Sequence, residues 1–243
     1  MKKEYANLVV FHSIKEDGNM MIHYSNRGSY VQNVSQFMER SNVDLKKCLY
    51  LSSFKKDVVV ELDESYVVHG DVVNPRMIQA DGVICQFSDV YLYTTFSDEL
   101  PFVLYDSKQK IFAFAHLGWE SIYLDLHEKL GNMMVENYHC DVDDMMVIIG
   151  PCIKKESYIV DDPVQLHNPK WFDFTFEKGD RYSVDLTGYV LRYFLEMGFS
   201  LEQFHIHDSD TYQDEQYFSY HLGKENDKKY CQAFIYGAGI VGE

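Results

Sequence analysis

Short apolar runs separated by polar clusters make up most of the chain. Runs rich in Val, Ile, Tyr and Phe at Leu8–Phe11, Met20–His23, Val58–Leu62, Val83–Gln86, Val90–Thr94, Phe102–Tyr105, Ile111–His116, Met145–Ile149 and Gln232–Tyr236 predict strands. Glu16-Asp17-Gly18 and Asp106-Ser107-Lys108 punctuate them as turns. Two segments carry a helical period instead. Trp119, Ile122, Tyr123, Leu126, Leu130, Met133 and Met134 recur at i, i+3, i+4 and i+7, which predicts one helix from Trp119 to Asn137 with a single face on a sheet. A second helix follows Asp185 as its N-cap, carries Tyr189, Val190, Tyr193, Phe194 and Met197, and stops at Gly198. A weaker one covers Val34 to Arg40. Because strands and helices do not alternate regularly, the predicted fold is α+β, a layered helix/sheet sandwich, and not a doubly wound sheet. No internal repeat, low-complexity stretch or Pro/Gly/Ser-rich linker divides the chain, so residues 1–243 read as one domain.

Charge narrows the partners. Lys and Arg number 22 against 38 Asp and Glu, a formal net charge of -16. A duplex binder needs a basic face to neutralise phosphates, and the paired lysines here read as solvated corners, so no nucleic-acid partner is expected. The apolar run after Met1-Lys2-Lys3 is too short for a signal segment, and nothing approaches a membrane span, so no membrane partner is expected. Five cysteines, an odd number with no C-x-x-C pair, predict reduced buried thiols and a cytoplasmic location.

Candidate chemistry gathers in three segments. Residues 96–121 read as a strand, a turn, a second strand ending at His116, and a helix opening at Gly118-Trp119. If the strands pair as a hairpin, Asp98, Glu99 and His116 share one end of the sheet. A carboxylate beside a histidine there is an acid–base or metal pair, or a plain salt bridge. In residues 147–164, Cys152 is a nucleophile by residue type only, because no base lies near it in sequence. Residues 208–237 read as an acidic loop, a strand through Tyr217–His221 and a closing strand. The loop resembles a calcium loop in composition alone. His205 and His207 alternate onto one face of a strand, two ligands where zinc needs a third. His69-Gly70-Asp71 reads as surface.

Taken together, these stretches resemble the laccase-domain, or polyphenol oxidase, family, also described as purine nucleoside phosphorylase with adenosine deaminase activity. The resemblance rests on Tyr24-Ser25-Asn26, Ala80-Asp81-Gly82, Asp98 with Pro101, Leu104-Tyr105-Asp106, and His116 with Gly118-Trp119. It continues through Ile149-Gly150-Pro151, Tyr158 with Val160, Asp185-Leu186, and Phe218-Ser219-Tyr220. It implies a cytoplasmic α+β fold that cleaves adenosine, inosine and methylthioadenosine with phosphate and deaminates adenosine. It also implies a zinc held by two histidines and a cysteine.

Matched position by position, the implied site changes character. Phe54 stands where the family has its first histidine, and Glu99 where it has the cysteine; His116 is the matched ligand. Glu120 and His221-Leu222 stand where relatives carry arginines, and Lys228 and Lys229 offer partial compensation. An arginine fork suits phosphate and a glutamate repels it. Zinc is therefore expected to be absent or weakly held, with His116 and Glu99 as its remaining ligands. Two readings follow. In the first, His116, Glu99 and Asp98 act on a purine nucleoside and phosphate, with Asp98 orienting His116 and with Asn26, Gly118, Phe218, Ser219 and Tyr220 lining the pocket. In the second, a catalytically degenerate relative binds a nucleoside or a protein partner through the same cleft.

Overall fold

A computed structural model describes residues 1–21, 27–63, 75–226 and 232–242. The strands, in chain order, begin with β1 (Lys2–Tyr5), β2 (Leu8–His12), β3 (Cys48–Ser52), β4 (Val59–Glu61) and β5 (Arg76–Gln79). They continue with β6 (Gly82–Cys85), β7 (Tyr91–Phe96), β8 (Leu100–Asp106), β9 (Ile111–Leu117) and β10 (Met145–Ile149). The last are β11 (Ile159–Val160), β12 (Thr175–Lys178), β13 (Arg181–Val184), β14 (Phe204–Ile206) and β15 (Phe234–Ile240). The α-helices are α1 (Arg27–Arg40), α2 (Trp119–Tyr123), α3 (Leu126–Glu136), α4 (Leu186–Met197) and α5 (Tyr220–Glu225).

Two six-stranded sheets form the inner layers, one ordered β1-β2-β15-β7-β3-β5 and the other β14-β10-β8-β9-β6-β4. A small sheet, β11-β13-β12, lies apart. The layers explain the sequence pattern. β8 and β9 are buried at every position, so they read as continuous apolar runs and not as alternation. Alternation persists in which layer each side chain enters. Phe112 and Phe114 of β9 point between the sheets with Val103 and Tyr105 of β8, while Ala113, Ala115, Phe102 and Leu104 face the helices α2, α3 and α4. On the far side, Tyr30, Val34, Phe37 and Met38 of α1 cover Phe11, Tyr93 and Ile235 of the first sheet. The result is a helix/sheet/sheet/helix sandwich, as the α+β expectation requires.

Local signals place most boundaries. Asp185 accepts a hydrogen bond from the Gly188 N–H and caps α4, and Gly198 ends it at φ 109°, a left-handed position suited to glycine. Three expectations are corrected. The helix foreseen from Trp119 to Asn137 is broken at Asp125, whose φ of 58° and ψ of 34° are left-handed, so α2 and α3 are separate. The strand foreseen at Tyr217–His221 is a turn leading into α5, because Ser219 accepts from the Leu222 N–H as a helix cap. Met20 lies outside any strand, and the remainder of Met20–His23 falls largely outside the described residues, as do Tyr24-Ser25-Asn26, His69, Lys228, Lys229 and Cys231. The other four cysteines are buried and unpaired.

Burial also sets an acid sensitivity. His12 and His127 are both held near pKa 3, chiefly by loss of hydration. The unfolded chain takes up a proton on each below pH about 6.5, while the folded chain resists until pH about 3. Stability is therefore intact above the unfolded value and falls as pH drops between the two. The expected loss is about 1.4 kcal/mol per pH unit for each histidine. Urea unfolding between pH 7.5 and 5 checks this; a flat profile would refute neutral burial.

Candidate active site

The chain passes from the first sheet to the second at Ser97-Asp98-Glu99, between the end of β7 and the start of β8. This corner is tight: Asp98 sits at φ 94°, a strained value for a residue with a side chain. Beside it β9 ends, with His116 opposite Pro101 and Leu117 opposite Leu100. Asp98, Glu99 and His116 thus lie at one end of the sheet, as the hairpin reading expects. β3 ends at the same place and continues into Ser53 and Lys55.

Around these ends are two connected chambers. One, of about 460 Å³, is lined by Tyr50, Ser53, Thr95, Ser97, Glu99 and His116, among others. The other, of about 260 Å³, is lined by Asp98, Gly118, Trp119, Glu120, Tyr158, Leu186 and His221 among its walls. Lys55, Ser97, Glu99 and Tyr220 belong to both, so the chambers form one cleft.

His116 is 6% exposed, and its ring stacks on Phe96 with centroids 4.8 Å apart. Its Nδ1 is buried without a hydrogen-bond partner. Its backbone N–H donates to the carbonyl of Asp81 at 3.0 Å. Asp81, within the Ala80-Asp81-Gly82 turn, positions both His116 and the neighbouring loop. Its carboxylate accepts from Ser53 Oγ at 2.7 Å, the Phe54 N–H at 2.7 Å and the Val58 N–H at 3.1 Å, shaping the loop that carries Lys55.

Asp98 does not orient His116. Its Oδ1 accepts from Thr211 Oγ1 at 2.7 Å, and its Oδ2 from Ser219 Oγ at 3.0 Å and the His221 N–H at 2.8 Å. His221 Nδ1 lies 3.0 Å from the same Oδ2. These contacts fasten the start of α5 to the sheet corner, and Thr211 had no signal beyond its polar loop. Glu99 accepts the Ser97 N–H at 2.8 Å through one oxygen and lines both chambers. A Cβ built on Gly118 would stand 3.7 Å from Glu99 Cγ and 3.4 Å from Glu120 Oε2, so both side chains converge on that glycine. Their field is felt at Tyr158, whose phenol is pushed well up by burial, then by Glu120, Asp98 and Glu99.

Other expected residues divide. Tyr220 lines the cleft and Ser219 caps α5, while Phe218 packs in the core between the sheets. Asn26 lies outside the described residues. Cys152 is fully buried and its thiol is pushed up by desolvation, the opposite of an activated nucleophile. His205 and His207 line a separate 380 Å³ cavity with His12 at the far edge of the sheets.

A three-ligand zinc site does not fit the residues at His116. Phe54 is 47% exposed, offers no donor, and commits its N–H to Asp81. Among the described residues, the group of three potential ligands whose donor atoms come together is Asp125, His127 and Glu128, away from this cleft. His116 and Glu99 supply two donors where a catalytic zinc takes three.

Residues 12–230 match the family of the multi-copper polyphenol oxidoreductase laccase. A purine nucleoside phosphorylase of Rickettsia conorii is 23% identical over 170 residues, 66% of this chain and 69% of the relative. The purine nucleoside phosphorylase LACC1 of Mus musculus is 32% identical over 73 residues, 30% of this chain but 17% of the relative. The purine nucleoside phosphorylase YlmD of Bacillus subtilis is 29% identical over 84 residues, 35% of this chain and 30% of the relative. The mouse and Bacillus matches therefore span less than a third of those proteins. In fold, the chain is similar to YlmD from Geobacillus stearothermophilus, with a TM-score of 0.85 at 19% identity over 98% of this chain and 93% of the other. It is similar also to the Bacillus licheniformis hypothetical protein YfiH, with a TM-score of 0.84 at 17% identity over 98% and 94%. With the family match covering residues 12–230 and the fold agreeing along almost the whole chain, this protein belongs to the multi-copper polyphenol oxidoreductase laccase family.

Proposed function

We propose that this chain binds a purine nucleoside in the two-chambered cleft and has little of the phosphorolytic activity named for its relatives. The observation that carries this reading is the convergence of Glu99 and Glu120 on Gly118, where the resemblance calls for a cysteine and an arginine. The combined volume suits a small ligand, with Trp119, Tyr158 and Tyr220 as aromatic walls for a base and carboxylates as acceptors for ribose hydroxyls. Phosphate, by contrast, would meet Asp98, Glu99 and Glu120, with Lys55 as the opposing lysine of the cleft. Four buried, unpaired cysteines support a reducing, cytoplasmic setting.

One observation favours the enzymatic reading. His116 and Glu99 line the same chamber and His116 Nδ1 has no hydrogen-bond partner, which leaves the imidazole uncommitted for acid–base work on adenosine, inosine or methylthioadenosine. The deciding experiment is equilibrium dialysis with each nucleoside, alongside incubation with phosphate. Saturable binding is expected, with release of adenine, ribose phosphate or inosine no greater than in His116→Ala. No binding of any nucleoside would overturn the proposal. Turnover lost in His116→Ala would establish the enzymatic reading instead.

A further inference from the structure

Outside the cleft, the start of α3 holds a group of side chains that the proposed function does not use. Asp125 sits at the break between α2 and α3, and His127 and Glu128 follow in the first turn. One donor atom from each lies within 4.8 Å of the other two. Carboxylates at a helix N-terminus have an ordinary explanation, since they complement the helix dipole. Lys170 gives them a further one, with its Nζ 2.6 Å from Asp125 Oδ2 and 3.5 Å from Glu128 Oε1.

Neither explanation covers His127. It is 0% exposed, and both ring nitrogens are buried without a hydrogen-bond partner. Aromatic rings enclose it, Tyr189 at 5.5 Å and Tyr193 at 5.8 Å between centroids, both edge-on. A buried imidazole with two orphaned nitrogens is costly unless something takes a lone pair. A neutral imidazole with a free lone pair is the form that ligates metals.

The charges fit a divalent ion better than they fit Lys170. Two carboxylates against one ammonium leave a negative excess. Arg192 also faces the group, but its Nη1 donates to the Lys170 carbonyl at 3.0 Å and its Nε lies 3.6 Å from Glu196. Tyr189 donates its hydroxyl to Asp125 Oδ1 at 2.7 Å, an outer contact of the kind that orients a ligating carboxylate. The Lys170 side chain is 50% exposed and can leave for water.

We propose that Asp125, His127 and Glu128 bind one divalent transition-metal ion, with the His127 imidazole as the buried ligand and the two carboxylates closing over it in place of the Lys170 ammonium. One nitrogen and two carboxylate oxygens make a zinc-type set with a position left for water. Ligands about 2.0–2.2 Å from a tetrahedral ion stand roughly 3.3–3.6 Å apart, so the carboxylates must draw in slightly. Bound there, the ion would tie Asp125 at the α2–α3 break to the first turn of α3.

The test uses the full chain, stripped with EDTA and dialysed, then titrated with zinc alone by calorimetry and with cobalt by visible absorption. Zinc binding with one ion per chain and a tetrahedral cobalt spectrum are expected. Lys170→Met should raise affinity by about tenfold, and Glu128→Gln and His127→Gln should lower it by about a hundredfold or more. His116→Ala should leave it unchanged, which separates this site from the cleft. Glu128 is part-exposed, so its variant serves if His127→Gln fails to fold. Absence of zinc binding in both wild type and Lys170→Met would overturn the proposal. So would binding that survives Glu128→Gln or disappears in His116→Ala.

Discussion

Asp98→Ala is expected to destabilise the protein by about 3–5 kcal/mol, the range seen when one partner of a buried polar network is removed. For a chain of this length that lowers the melting temperature by roughly 6–20 °C. Four polar contacts depend on this carboxylate, from Thr211, Ser219 and both the N–H and the ring of His221. The residue is 4% exposed, so water does not replace the lost acceptor. Alanine also tolerates the left-handed backbone at Asp98 less well than Asp or Asn does. Asp98→Asn should keep the backbone preference yet turn an NH₂ group toward donors, giving an intermediate loss. Because α5 carries Tyr220 and His221 into the cleft, nucleoside affinity should fall with stability in both variants. Urea denaturation measures the first effect and dialysis the second; an alanine variant within about 1 kcal/mol of wild type would refute the network's role.

Trp171→Ala is expected to cost about 3–5 kcal/mol by a different route, the cavity left by a large apolar side chain. The indole is 0% exposed and lies flat on Tyr189, with centroids 3.7 Å apart and planes 4° from parallel. From the segment after His167 it packs onto Tyr189 of α4, near Tyr123 of α2. Its Nε1 has no hydrogen-bond partner, so the ring's value is packing alone. Trp171→Phe should therefore be much milder, about 1–2 kcal/mol. Trp119 remains as the fluorophore for the unfolding curve, and circular dichroism gives an independent one. If the alanine and phenylalanine variants lose stability equally, the stacking account fails.

Much of the fold was legible because its causes are local. The β8–β9 hairpin follows from two continuous apolar runs joined by a turn, and α4 from a period bounded by Asp185 and Gly198. The break at Asp125 was not legible, since Ile122, Leu126 and Leu130 keep one period across it. Asp125 is held out of the helix by Tyr189 and Lys170, which are distant in sequence. The aromatic run at Tyr217–His221 reads as a strand, but Ser219 both caps α5 and donates to Asp98 across 121 positions. β15 extends past Tyr236 because its glycines permit close packing. A Cβ on Gly237 would lie 2.4 Å from Phe11, and one on Gly239 2.4 Å from Tyr91.

The cleft divides in the same way. The resemblance alone set Glu99, Glu120 and Phe54 at positions where it implies a cysteine, an arginine and a histidine, and strand pairing alone brought Glu99 and Asp98 to the end of β9 with His116. Which of these groups act on one another depended on contacts between distant segments. Asp98 could have served His116 by position along the chain. Its oxygens go instead to Thr211, Ser219 and His221, because a hydrogen bond reaches about 3 Å and only the folded layers bring those donors that near. The burial that leaves His116 Nδ1 and His127 without partners is likewise a property of packing. Composition and pattern set the layers and the charge of -16, while three-dimensional proximity assigned each carboxylate its partner.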